Sequence, residues 1–299
     1  MKGTLDGGAA AQSSRAPIGH GIALTLIAVL LFACMDAANK MLVQTYPVLQ
    51  ILWIRFLPLA VILAWLVARQ PGRGLITRHF WLQGLRSLLF VTEVAVFVTA
   101  IGVLPLADAH AILAVAPLMV TALSVPMLGE QVGTRRWTAV AVAFFGVLVI
   151  FRPGLGVFEP YALLPLAAAA MWALYLVLTR IVGRSDSPLT SLFYAVFLGA
   201  IGLTIVVPFV WRMPDLEGWL LLLLVSVLGA VGHYLLIRAL QLAPAVILQP
   251  LTYMMVVFAT ITGYLVFGDI PGWPTILGAA IIVASGIYVV AREHRLARN

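Results

Sequence analysis

The 299-residue chain is poor in charge, with 18 basic and 11 acidic side chains, 10% of the whole. A soluble domain carries about 25%. So few charges cannot cover a surface without leaving large apolar patches exposed, and a water-soluble fold is excluded. There is one cysteine, Cys34, so no internal disulfide can form; its place in an apolar run reads as core packing. No HExxH, CxxC or Walker motif occurs, and no cluster has metal-ligand spacing. No metal or cofactor is therefore implied. An intramembrane hydrolase would need a nucleophile and base at one depth, and the nearest pair, Ser226 and His233, stands two helical turns apart. That leaves the enzyme reading weak.

What the chain has is apolar length: 63% hydrophobic residues and a mean hydropathy of +1.09. A helix needs about 20 apolar residues to cross a bilayer. Punctuation by turn residues and charges divides the chain into ten such spans, at about 20–43, 47–67, 80–101, 106–128, 137–151, 161–181, 189–210, 219–240, 245–267 and 273–291. Most linkers are short and carry Pro or Gly, as in Tyr46-Pro47, Pro71-Gly72 and Pro271-Gly272, so sequential spans are expected as antiparallel neighbours. Residues 1–19 read as a disordered cytoplasmic tail and 292–299 as a basic one. Leu31-Phe32-Ala33-Cys34 looks like a lipoprotein cleavage box, but it reads better as four apolar residues of the first span.

The net charge of +7 would point to nucleic acid in a soluble protein. Here the Lys and Arg residues act as topology signals, and no nucleic-acid partner is expected. With the N-terminus inside, thirteen of the 18 basic residues fall in cytoplasmic segments, from Lys2 to Arg298. Only Arg152 and Arg212 fall outside, and Lys40, Arg55 and Arg86 lie within spans. Both termini are expected in the cytoplasm and the 152–160 loop outside.

A repeat is visible at an offset of 139: Ala100 with Ala239, Pro105 with Pro244, Thr121 with Thr260, Gly129 with Gly268, and acidic Glu130 with Asp269. A proline opens spans 4 and 9, and a Gly-acid pair closes both. Each half, 20–151 and 161–291, holds five spans. Because five is odd, the halves would face opposite ways, an inverted-topology repeat that creates a midplane site able to open to either side.

These residues resemble the drug/metabolite transporter superfamily, in particular its EamA-type branch. The resemblance lies in Asn39-Lys40 ending span 1, Arg55-Phe56 in span 2, Pro117 in span 4 with Leu128-Gly129-Glu130 closing it, and Met171-Trp172-Ala173-Leu174-Tyr175 in span 6. Phe267-Gly268-Asp269 closes span 9, where the family usually has Gly-Glu. The resemblance covers roughly residues 20–291. It implies an all-α membrane protein of ten transmembrane helices in a 5+5 inverted-topology repeat, N-in/C-in. It also implies a secondary transporter, often an exporter of amino acids or other small metabolites, as a multi-pass protein of the bacterial inner membrane.

An ionisable side chain near the bilayer centre costs roughly 2.5–3.5 kcal/mol, so each needs a partner, a wet cavity or a function. Asp36 and Lys40 are spaced i, i+4 and can pair; alternatively Lys40, with Asn39 beside it, contacts a substrate carboxylate. Arg55 lies within span 2, and Asp108 and His110 at the outer start of span 4 can neutralise Arg55 or Lys40. Together Asp36, Arg55, Asp108 and His110 read as an outer charge network or gate. Arg86 reads as an inner-side structural or snorkelling residue. Glu93 falls near the centre of span 3, and its repeat counterpart, Gly232, adjoins His233. A carboxyl and an imidazole thus stand at similar depth, suited to helix–helix hydrogen bonding or to proton coupling. Trp172 and Tyr175, at i, i+3, and Tyr253 supply mid-depth aromatics for packing or for a ligand wall. Pro117 removes a backbone hydrogen bond and kinks span 4.

The substrate-binding set expected is Asn39, Lys40, Glu93, Trp172, Tyr175, His233 and Tyr253. It suits the export of small organic metabolites, amino acids first, with aromatic or other neutral side chains. The alternatives are a passive channel for small solutes and a multidrug efflux carrier. The partners are a small molecule and the lipid bilayer, with the oligomeric state left open.

Overall fold

The computed structural model describes residues 6–69, 77–130, 133–151 and 160–296. The Pro71-Gly72 turn, Arg73, Lys2, Arg298 and residues 152–159, most of the loop expected outside, lie beyond these. Among the described residues all regular structure is helical. The helices are α1 (Asp6–Val43), α2 (Val48–Ala68), α3 (Phe80–Val103), α4 (Leu106–Leu113), α5 (Ala116–Leu128) and α6 (Thr134–Phe151). They continue with α7 (Leu163–Val182), α8 (Pro188–Val206), α9 (Leu216–Leu242), α10 (Ala245–Leu248), α11 (Met254–Phe267) and α12 (Trp273–Leu296). Among the described residues, eight helical segments are long and apolar enough to cross a membrane, and Trp137–Phe151 and Trp273–Val289 are shorter apolar helices.

The first helix departs from expectation. It begins at Asp6, so the backbone of 6–17 is helical where composition predicts a disordered tail. Once the apolar span is helical, each added residue gains a backbone bond without a new nucleus. Even Gly- and Ser-bearing sequence can then extend it.

Two stretches expected as continuous spans are broken. The fourth divides into α4 and α5 at Ala114 and Val115, with Pro117 in the first turn of α5. Pro117 has no N–H, so the Leu113 carbonyl loses its partner four residues on. The ninth divides into α10, a 3-10 turn at Gln249–Tyr253 containing Pro250, and α11.

The punctuation recurs in detail. The Leu104 N–H bonds Ala100 O (2.8 Å) before Pro105, and the Ala243 N–H bonds Ala239 O (2.9 Å) before Pro244. Gly129 (φ 70) and Gly268 (φ 72) both end their helices in the left-handed conformation, which glycine adopts without steric cost. Each glycine N–H bonds the carbonyl four residues back, and the next residue's N–H bonds the carbonyl six back.

The main helix pairs join the first half of the chain to the second: α1 with α9, α3 with α7, α2 with α8, α6 with α12, α5 with α7, and α1 with α11. Replacing each helix by its counterpart in the other half turns these six pairs into themselves, while α3 with α8, as extensive as α1 with α11, has a weaker counterpart in α2 with α9. At the α6–α12 crossing a Cβ on Gly146 would meet Gly278 O at 2.9 Å. Small residues at such crossings let helices approach where lipid supplies no hydrophobic drive.

Candidate functional site

The bundle holds an open-sided cavity of about 460 Å³ lined from α1, α2, α3, α4, α5, α7, α9, α11 and the 3-10 turn before α11. Seven of the eleven residues singled out from sequence line it: Asp36, Arg55, Glu93, His110, Trp172, His233 and Tyr253. The break in the fourth span lies on the wall too, through Leu113, Ala114, Ala116 and Pro117. The volume lies within the usual range for small-molecule sites, and so does the composition, mostly apolar with a few converging polar groups.

Asp36 is buried on α1. It accepts a hydrogen bond from Asn39 Nδ2 (3.2 Å), and His110 Nε2 lies 3.2 Å from its other oxygen. That separation is an ion-pair distance, although the angle is not that of a hydrogen bond. The His110 ring also meets Phe97 edge-on at 4.9 Å. Arg55 reaches in from α2, within electrostatic range of Asp36 and Glu93. Its guanidinium lies against α9, where a Cβ on Gly229 would sit 3.4 Å from Arg55 Nε. The Gly229 carbonyl is 2.7 Å from His233 Nδ1. A carbonyl only accepts, so Nδ1 carries the proton and Nε2 is left for other partners. Phe32 meets this imidazole edge-on at 4.9 Å.

The aromatic wall is continuous. Trp172 stacks on Tyr175 at 5.2 Å and 19°, and Tyr175 on Phe90 at 5.4 Å and 26°. Trp172 and Phe90 face the cavity, while Tyr175 is not on its wall. Such pairs contribute about 0.5–1.5 kcal/mol beyond the area they bury.

Asn39, Lys40 and Asp108 are also off the wall. The expected Asp36–Lys40 pair does not form. Lys40 Nζ instead donates to Asp269 Oδ2 (2.8 Å) and Leu104 O (3.0 Å) and sits 4.8 Å from the Phe267 ring centre. A long side chain leans toward its own helix end, and there a carboxylate from the other half outcompetes one a turn away on the same helix.

Of the two roles expected for Arg86, snorkelling and structural, its burial fits the structural one: at 1% exposure it is among the most buried side chains. It donates to Gln83 Oε1, to Thr179 Oγ1 (3.0 Å) and to the Tyr175 hydroxyl (3.4 Å). Gln83 Nε2 donates to Asp186 in the α7–α8 turn (2.8 Å), which also accepts from Thr77 (2.5 Å) and Ser185 (3.2 Å). Burial pushes the Asp186 carboxyl up. Hydrogen bonds from Thr77, Gln83, Ser185 and the Arg78 backbone outweigh it and hold the group below its usual range. Phe32, Phe90 and Phe97 on the wall, and Gln83 and Asp186 beneath it, are not among the residues expected at the site. The spacing of Arg86, Phe90, Glu93 and Phe97, one α3 stripe at i, i+4, i+7 and i+11, was the available signal.

Comparison with known proteins follows the same division of the chain. The model of the EamA-like transporter family matches twice, over residues 19–152 and 160–291. The chain belongs to this family. It is 32% identical over 244 residues to a riboflavin transporter of Vibrio cholerae, covering 81% of this chain and 82% of that protein. It is 24% identical to an S-adenosylmethionine uptake transporter of Rickettsia prowazekii (92% and 94% covered). It is 28% identical to a pseudopaline exporter of Pseudomonas aeruginosa (89% and 94% covered). A solved crystal structure shares the fold, with a TM-score of 0.58 at 20% identity over 92% of this chain and 98% of that one. As a family member the chain is a multi-pass protein of the bacterial inner membrane, and small-molecule transport is the family's activity.

Proposed function

We propose that the chain is a secondary carrier that moves a small organic metabolite by alternating access around the cavity. The observation that carries this reading is the chamber's make-up. Asp36, Arg55, Glu93 and His110 come from the first matched stretch, and Trp172, His233 and Tyr253 from the second. Ionisable groups are costly at such depth, and here they converge on one space shared by both halves. The same proposal includes ten membrane crossings with both termini inside and the halves inverted. The recurring caps and the self-exchanging helix pairs support it. So do the polar contacts: Lys40–Asp269, Tyr46–Asp215 and Gln50–Arg212 join residues assigned outside, while Gln83–Asp186 and Arg180–Glu130 join residues assigned inside.

The Phe90–Tyr175–Trp172 stack favours a substrate with a flat ring, and the mixed charges favour one that also carries charged or hydrogen-bonding groups. Aromatic amino acids have this chemistry. The relatives named for riboflavin, S-adenosylmethionine and pseudopaline widen the class and include both uptake and export. The test is flux of labelled riboflavin, S-adenosylmethionine and aromatic amino acids in proteoliposomes, in both directions. Saturation and acceleration by substrate on the far side are expected for at least one compound. Conductance without saturable exchange makes the protein a channel instead. Glu93 and His233 are the proposed proton-handling groups. Glu93→Gln or His233→Gln is expected to flatten the pH dependence of net flux between about pH 5.5 and 8 while substrate exchange survives. Unchanged profiles in both variants leave facilitated diffusion.

A further inference from the structure

Arg86 has a role that neither the cavity nor the outer contacts use. No carboxylate lies within ion-pair distance of it among the described residues. Its nearest negative charge is relayed by a neutral amide: Gln83 accepts from Arg86 on one side and donates to Asp186 on the other. Gln83 is fully buried and Asp186 nearly so, so water does not substitute for either contact. At its other end the guanidinium holds Tyr175 twice, by the hydroxyl and by lying 5.0 Å from the ring centre. Tyr175 stacks on both Trp172 and Phe90, the two that face the cavity and that themselves meet at 6.4 Å. One connected chain therefore runs from the α7–α8 turn through Asp186, Gln83, Arg86 and Tyr175 to the cavity wall. It crosses from the second half of the protein to the first and back.

We propose that Arg86 is a positioning residue whose hold on the Tyr175–Trp172–Phe90 stack is set, through Gln83, by Asp186 in the inner turn. Closure of the inner end then shapes the wall for a ring, and opening that end loosens the stack and lowers affinity for the ring on the side where it leaves. An amide relay suits this cycle. A buried Arg–Asp ion pair, once separated, leaves two uncompensated charges, whereas each link of the relay is a single hydrogen bond.

This inference rests on the carrier reading, and its test has one arm independent of transport. The full chain is labelled with fluorotryptophan in nanodiscs, and Trp172→Phe identifies the Trp172 signal among those of the eight tryptophans. Asp186→Ala is expected to shift and broaden the Trp172 signal, leaving the signals of Trp137 and Trp273, exposed on other helices, where they were. Asp186→Asn, which keeps an acceptor oxygen for Gln83, returns the signal toward that of the unaltered protein. Should Asp186→Ala not fold, Thr77→Val removes one donor to Asp186 and moves the same signal less. An unmoved Trp172 signal in a folded variant of either kind overturns the proposal. The second arm uses whichever ring-bearing compound of the panel above is carried. Asp186→Ala raises its KM about tenfold with less than a twofold change in maximal rate, and a lowered rate at unchanged KM overturns the proposal. If no compound is carried, the carrier reading fails while the fluorine result still decides the role of Arg86.

Discussion

Trp172 is the single residue whose removal best separates substrate contact from packing, because it faces the cavity and also stacks on Tyr175. Trp172→Ala is expected to cost a ring-bearing substrate about tenfold in kcat/KM, corresponding to about 1.4 kcal/mol of lost stacking and burial, and a small substrate much less. Equal losses across the panel at unchanged expression would mark Trp172 as packing alone. At the rims the decisive residues are carboxylates. Asp215 is held low first by the Gly218 N–H and then by the Tyr46 hydroxyl, and Asp186 is held low as described. A carboxyl lower in the folded than in the unfolded state adds stability above its unfolded value, about 3.9, and loses it as pH falls through the folded value. The part of the thermal midpoint that these two carboxylates supply should therefore be lost below about pH 4. Asp186→Asn should start lower at neutral pH and fall less. A midpoint as steep in the variant as in the unaltered protein would remove Asp186 from that account.

Among the elements, the two broken helices and their glycine caps are the recurring unit. Gly129 and Gly268 adopt φ 70 and 72, a conformation costing other residues roughly 1–2 kcal/mol. No heavy atom lies within 4 Å of a Cβ added at either, so alanine there meets backbone strain without a clash. Gly129→Ala and Gly268→Ala should each lower thermal stability by a similar amount, about 1 kcal/mol. A large difference between them would show that the two caps do unequal work despite equal geometry.

For the whole molecule the open question is which end faces which compartment. Met213 and Arg184 are both exposed, in turns at opposite ends of α8. With Cys34 replaced by serine, Met213→Cys should react with an impermeant thiol reagent in intact cells, and Arg184→Cys only in inside-out vesicles. The reverse pattern would overturn the N-in orientation, and labelling of both from one side would overturn the crossing between them.

The family model matches the chain twice, over residues 19–152 and 160–291. Helix positions were legible because lipid demands long apolar runs and punishes unbonded backbone, which leaves a signal in every span. The break near Pro117 was legible because a missing N–H is a covalent fact. Side-chain partnership was not. Lys40 with Asp269, Arg86 with Gln83 and Asp186, and the meeting of Asp36 with His110 each depend on which helices lie side by side. The main helix pairs join residues far apart along the chain, 229 positions for Lys40 and Asp269 and 103 for Gln83 and Asp186, so local spacing favoured the i, i+4 partner, Asp36 for Lys40. An apolar helical bundle in two like halves follows from the order of residues alone. Only the packing of one half into the other decided which of its few charges face the cavity and which staple its ends, because a buried charge takes the partner that tertiary structure brings within reach.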